Sequence, residues 1–112
     1  MASIEKALQI AARAHEGQKD KDGQPYILHP LRVMNAVEDE PAKVVAVLHD
    51  VIENTSVTAD DLWQAGFSES VIAAVLCVTH RKDEPSADYV VRCKADEVAR
   101  RVKLADLASA ES

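Results

Sequence analysis

The sequence predicts an all-α fold, a compact bundle of about six helices. Three observations carry that expectation. Ala, Leu, Glu and Lys are plentiful while aromatic residues make up only 4%, a composition of good helix formers. Apolar residues recur at three- and four-residue intervals along most of the chain. No stretch bounded by turn signals alternates apolar and polar residues with a period of two, as a half-buried strand does.

The elements follow in order. Ser3 is placed to cap a first helix whose apolar stripe runs Ile4, Ala7, Leu8, Ala11, Ala12 and His15, and Gly17 ends it. Gln18 to His29 is polar, holds Gly23 and Pro25, and reads as a loop. Pro30 suits the first position of a second helix through Leu31, Val33, Met34 and Val37. Pro41 opens a central helix that is apolar nearly all round and is therefore expected to be buried on several sides. Thr58 caps a short helix with Asp60 and Asp61 in its first turn, stopped by Gly66. Ser68 and Glu69 begin another, which carries Val71, Ile72, Val75 and Leu76. Beyond the polar stretch from Thr79 to Pro85, Asp88 to Arg92 suggests a short helix, although Tyr89-Val90-Val91 also suits a strand. The last helix starts near Asp96, with Asp96–Arg100 and Glu97–Arg101 as pairs one turn apart.

With 112 residues, 47% apolar and 29% charged, the chain reads as one domain spanning residues 1–112, able to bury a core without disulfides. No apolar run nears the ~20 residues of a membrane span, and the N-terminus lacks the pattern of a signal peptide. The expected location is the cytoplasm. Cys77 and Cys93, in neither metal-site nor redox spacing, are expected there as free thiols. A net charge of −6 argues against nucleic acid as the main partner. It leaves room for a small phosphorylated ligand, because a few local cations can offset an acidic whole. The oligomeric state has no signature in these residues.

The chain is organised around Val44-Val45-Ala46-Val47-Leu48-His49-Asp50-Val51-Ile52-Glu53-Asn54-Thr55. A carboxylate inside so apolar a run must be paired, hydrogen-bonded or metal-bound, since an isolated buried charge costs several kcal/mol. Four residues have the chemistry for one divalent metal: His29, His49, Asp50 and Asp106. Two imidazoles and two carboxylates suit Mn²⁺, Fe²⁺, Zn²⁺ or Mg²⁺, and the lack of sulfur argues against a structural zinc. Leu48, Val51, Leu104 and Leu107 are the neighbours expected to exclude water. His15, ending the first apolar stripe, reads as a satisfied, semi-buried histidine. His80 and Arg81 stand close enough to the end of an apolar helix to approach a cleft.

Four blocks in order make the sequence recognisable: Ala14-His15-Glu16-Gly17-Gln18; Lys21-Asp22-Gly23-Gln24-Pro25-Tyr26-Ile27-Leu28-His29-Pro30; Leu48-His49-Asp50-Val51-Ile52-Glu53-Asn54-Thr55; and Val102-Lys103-Leu104-Ala105-Asp106. Together they resemble the HD-superfamily phosphohydrolases, in particular the RelA/SpoT-like (p)ppGpp hydrolase branch and its small stand-alone forms. The resemblance implies a helical HD-domain bundle, a Mn²⁺-type metal on His29, His49, Asp50 and Asp106, and hydrolysis of a pyrophosphate ester of a nucleotide. Such a metal acidifies water and polarises a phosphoryl oxygen. Glu53, four residues past His49, would share its face on a continuing helix and is the candidate acid/base group.

Lys103 either holds a phosphate oxygen or neutralises the carboxylates. Lys21 and Arg32 are candidate phosphate contacts, and Tyr26 either packs the loop or stacks on a ligand. The sequence also departs from the family. Asn54 stands where the alarmone hydrolases carry an Asp after the Glu, Ala110 where they place an Asn, and Asp20 where the long enzymes have a basic residue. An amide cannot take up a proton as a carboxylate does. The competing expectation is therefore a degenerate metal- or nucleotide-binding sensor module.

Overall fold

A computed structural model describes residues 3–79 and 84–110, without the side chains of residues 109 and 110. Eight helical segments appear among the described residues: α1 Ile4–Ala14, α2 Leu28–Asn35, α3 Glu40–Leu48, α4 Val51–Asn54, α5 Ala59–Gln64, α6 Glu69–Cys77, α7 Ser86–Ala95 and α8 Glu97–Ala110. The all-α expectation holds, with more and shorter segments than the six expected. The described extended pairing is a single antiparallel bridge between Lys19 and Pro25.

Helix starts lie where the capping residues put them. Ser3, Asp39, Thr58 and Ser68 each accept a hydrogen bond from a backbone N–H of the first turn. At α5 the exchange is reciprocal, Thr58 Oγ1 accepting from Asp61 N and Asp61 Oδ2 accepting from Thr58 N. Thr58→Ala is expected to cost about 1 kcal/mol, read as a fall in the urea midpoint with an unchanged slope. Gly66, with φ +96°, turns the chain out of α5, a conformation a side chain would strain.

The core lies around α3, which packs against α1, α2, α6 and α8. Ala42 and Val44 through Leu48 are all buried, as a helix apolar on every side requires. From α1, Ala7 and Ala11 complete the interface; Ala12 of the predicted stripe is exposed.

Three expectations are corrected. The central helix does not continue unbroken from His49 to Glu53 but breaks at His49 and Asp50. The Ala46 carbonyl, which a continuous helix offers to the N–H four residues on, accepts instead from His49 N at 3.4 Å and lies 2.5 Å from His49 Nδ1. Pro30 is the third residue of α2, not the first. Its missing N–H is harmless there, because the first-turn donors have no intrahelical partner. The stretch around Tyr89 is a ten-residue helix, not a short helix or strand. Tyr89 and Cys93, one turn apart, are buried while Val90 and Val91 are exposed. Arg92 fastens this helix to the end of α6, donating to the carbonyls of Leu76 and Thr79 and pairing with Glu84.

On α8, Asp96 caps by accepting from Ala99 N, and Arg101 pairs with Asp39 at 2.7 Å, while the charge of its predicted partner Glu97 also acts on it. No helix among the described residues is long and apolar enough to cross a membrane. Neither cysteine forms a disulfide among the described residues, and the Cys93 thiol donates to the Cys77 carbonyl.

Candidate metal centre

Four elements meet at one point. His29 comes from the first turn of α2, where the sequence suggested the end of a loop. His49 and Asp50 occupy the break between α3 and α4, and Asp106 lies on α8. Donor atoms of His29, His49 and Asp50 all lie within 4.8 Å of one another. Asp106 Oδ1 is 2.7 Å from His29 Nε2 and 3.4 Å from His49 Nε2. Asp50 Oδ2 is 3.1 Å from His49 Nε2 and 3.9 Å from His29 Nε2.

The surroundings of His49 indicate what the cluster can hold. Its Nδ1 faces the Ala46 carbonyl, which only accepts, so Nδ1 carries the proton of a neutral ring. Nε2, fully buried, faces the carboxylate oxygens of Asp50 and Asp106, and it can meet them through a second proton or through a shared cation. In the second case these lone pairs converge on the ion. The donor set, two imidazole nitrogens and two carboxylate oxygens, fits a divalent ion of the Mn²⁺, Fe²⁺ or Zn²⁺ kind.

Electrostatics agree. Burial opposes a charge on His49, yet the nearby oxygens of Asp106 and Asp50 and the Asp50 charge push its pKa up to about 10. Burial raises the Asp106 carboxyl, but the two histidines and Lys103 outweigh it and hold that group far below the usual carboxylate range. Asp50 is likewise lowered, by His49 and the Tyr26 hydroxyl against burial.

The other predicted site residues divide. Lys103 Nζ lies 3.2 Å from Asp106 Oδ2 and 5.4 Å from the centre of the Tyr89 ring, beside the cluster. Tyr26 donates from its hydroxyl to Asp50 Oδ2 at 2.5 Å. Lys21 and Arg32 are exposed, Lys21 in the loop and Arg32 on α2, three residues past His29 and so on its side of the helix. Glu53 is exposed on α4. The helix breaks between His49 and Glu53, and the Glu53 charge acts together with that of Asp106 on the Tyr89 phenol. Asn54 gives its carbonyl to Gln18 Nε2 at 3.1 Å.

Leu48 and Val51 are fully buried beside the ligands, but Leu104 and Leu107 are 61% and 51% exposed on the far side of α8 and do not shield them. Asp20 shapes its own loop, its Oδ1 accepting from Asp22 N and Gln24 N. His15 is fully buried, not semi-buried, with Nδ1 2.9 Å from Gln18 Oε1 and Nε2 without a partner. His80 and Arg81, and the side chain of Ala110, lie outside the described residues.

Sequence reasoning missed Gln18, which joins the first helix to the end of α4. Its place in the Ala14–Gln18 block was the available signal.

The sequence pattern of the HD domain matches residues 7–107, which include all four clustered residues. Over 85 residues the chain is 36% identical to the guanosine-3′,5′-bis(diphosphate) 3′-pyrophosphohydrolase of Borreliella burgdorferi, covering 72% of this chain and 13% of that protein. It is 43% identical over 70 residues to the enzyme of the same name from Vibrio cholerae, covering 59% and 10%. To the GTP pyrophosphokinase of Streptomyces coelicolor it is 44% identical over 66 residues, covering 55% and 8%. The chain thus spans about a tenth of the length of these curated relatives. Among solved structures, a metazoan ortholog of SpoT that hydrolyses ppGpp superposes with a TM-score of 0.82 at 28% identity, over 97% of this chain and 68% of that one. With the pattern matched over nearly its whole length and the fold shared, the chain belongs to the HD domain family.

Proposed function

We propose that this chain is a metal-dependent phosphohydrolase whose substrate is guanosine 3′,5′-bis(diphosphate) or a related nucleotide, losing pyrophosphate from its 3′ side. The observation that carries the reading is the convergence of His29 and the buried Nε2 of His49 on two carboxylates, in a family whose similar members are named for that hydrolysis. His29, His49, Asp50 and Asp106 hold the ion, with Mn²⁺ the first choice ahead of Fe²⁺, Zn²⁺ or Mg²⁺. When bound, such an ion supplies Lewis acidity, making water more acidic and drawing charge from a phosphoryl oxygen.

The protein's own groups do the rest. Lys103, fixed by Asp106 and partly open to solvent, offers its ammonium to a phosphate oxygen. Lys21 and Arg32 add positive charge at the approach. Glu53 orients water and takes up or returns the proton. Residues 1–112 act as one unit in this reading, and two cysteines outside any disulfide suit a cytoplasmic setting.

One feature favours a second reading. Asn54 stands beside Glu53 where the related hydrolases carry Asp, which fits a module that binds metal and nucleotide without turning it over. Pyrophosphate release from guanosine 3′,5′-bis(diphosphate) with Mn²⁺ separates the two. If the wild type is active, Asn54→Asp is expected to change kcat by less than about tenfold. An inactive wild type whose Asn54→Asp variant gains ~10²-fold or more, the scale of general acid–base catalysis, makes the sensor reading correct.

A further inference from the structure

The sequence left Tyr26 between packing its loop and stacking on a ligand. Its hydroxyl is committed elsewhere. It donates to Asp50 Oδ2 at 2.5 Å, the same oxygen that lies 3.1 Å from His49 Nε2. We propose that Tyr26 is a positioning residue for the metal centre, fixing through this hydrogen bond the rotation of the Asp50 carboxylate and so which oxygen faces the ion. The inference rests on the metal-site reading above and extends it to a residue that is not itself a ligand.

The surroundings hold the phenol to that one task. Its backbone is tied by Tyr26 N donating to Gln18 O at 2.9 Å and by the Tyr26 carbonyl accepting from His29 N at 3.0 Å, closed behind by the Lys19–Pro25 bridge. The ring lies against His15, centroids 4.9 Å apart, and against His29 at 5.9 Å. With two imidazoles against it, the ring is already engaged within the protein. Gln18 adds the last constraint, touching His15 Nδ1 with its carbonyl oxygen and donating its amide to the Asn54 carbonyl. It thereby ties the helix carrying His15 to the segment that follows Asp50. Asn54 N in turn donates to Asp50 O at 2.9 Å, so the Asn54 side chain rises on the same side as Asp50.

A phenol keeps its proton at neutral pH, so the hydroxyl is the donor to Asp50. A carboxylate with one hydrogen-bonded oxygen has fewer orientations to lose when it ligates an ion, which is why partners of ligands commonly contribute ~10–100-fold to metal affinity.

The test is Tyr26→Phe, which keeps the ring and its packing and removes the oxygen. Mn²⁺ binding to the full chain is measured by titration calorimetry at fixed pH, with circular dichroism on the same samples to establish that the helices are intact. The Kd for Mn²⁺ is expected to rise ~10–100-fold, and turnover lost at low Mn²⁺ is expected to return as Mn²⁺ is raised. Wild type that binds Mn²⁺ beside a Tyr26→Phe variant of equal affinity overturns the positioning role alone. So does a variant whose substrate KM stays raised at every Mn²⁺ concentration, since that marks a ligand contact. Wild type that takes up no Mn²⁺ overturns both this inference and the metal-site reading. Should Tyr26→Phe lose helical signal, Gln18→Leu, which releases the clamp without touching the phenol, is expected to weaken Mn²⁺ binding in the same direction. Unchanged affinity there overturns the proposal.

Discussion

His49→Ala is expected to leave the purified chain without bound metal and to abolish pyrophosphate release. Structural zinc sites in small peptides are worth about 10–16 kcal/mol in all, or roughly 2.5–4 kcal/mol for each of four ligands, so losing one ligand here is expected to cost up to ~10²–10³-fold in Kd. His49 contributes above that average because it is the most buried of the four clustered residues. Its removal also leaves Asp50 and Asp106 facing each other across a cavity. Uncompensated buried charge of that kind costs about 3–5 kcal/mol when one partner is lost, so part of the effect falls on the fold. His29→Ala separates the two. His29 is only partly buried at the start of α2, and its loss is expected to strip the metal at a smaller cost in Tm. Elemental analysis of both variants beside wild type, with metal-free melting curves, reads each quantity. Metal retained at one ion per chain in both variants would sink the assignment of these histidines as ligands.

The second large effect is proton competition. Mn²⁺ affinity is expected to weaken about tenfold for each unit of pH lowered between pH 9 and pH 6. In the metal-free chain burial disfavours a charged His49, but the oxygens of Asp106 and Asp50 prevail and push its pKa up to about 10. Throughout that interval a proton therefore occupies the imidazole, and an ion must displace it.

Stability of the metal-free chain runs the other way. A histidine whose folded pKa lies above its unfolded value of about 6.5 stabilises the fold fully below pH 6.5. That contribution is lost as the pH climbs through about 10. The metal-free Tm should fall over this window while the increment from excess Mn²⁺, which follows RT ln(1 + [L]/Kd), grows. Melting curves with Mn²⁺ and with a chelator at pH 6, 7, 8 and 9 should show the gap widening at each step. A gap that stays constant from pH 6 to pH 9 would mean that no proton leaves when the ion enters.

The all-α class, the caps at Ser3, Thr58 and Ser68, and the burial of Val44 to Leu48 were legible from the sequence because each depends on neighbours within one or two helical turns. The chemistry of His29, His49, Asp50 and Asp106 was legible too, since a carboxylate inside an apolar run has few physical options. The helix break at His49 was not legible, because the contact there, the imidazole on the Ala46 carbonyl, is a side-chain choice within one turn. At Leu104 and Leu107 helical spacing gave way to a tertiary demand, which leaves both exposed. α8 turns Ala99, Val102 and Asp106 toward the core, and a helix cannot present all sides at once. The Tyr26–Asp50 hydrogen bond joins residues 24 apart, and the His29–Asp106 contact joins residues 77 apart. No local pattern encodes such pairings. The sequence by itself determined which groups could bind an ion. Only packing α2, α3 and α8 together decided that they meet, which oxygen faces inward and which tyrosine holds it there, because those distances are set by side-chain volumes across helices rather than by periodicity along them.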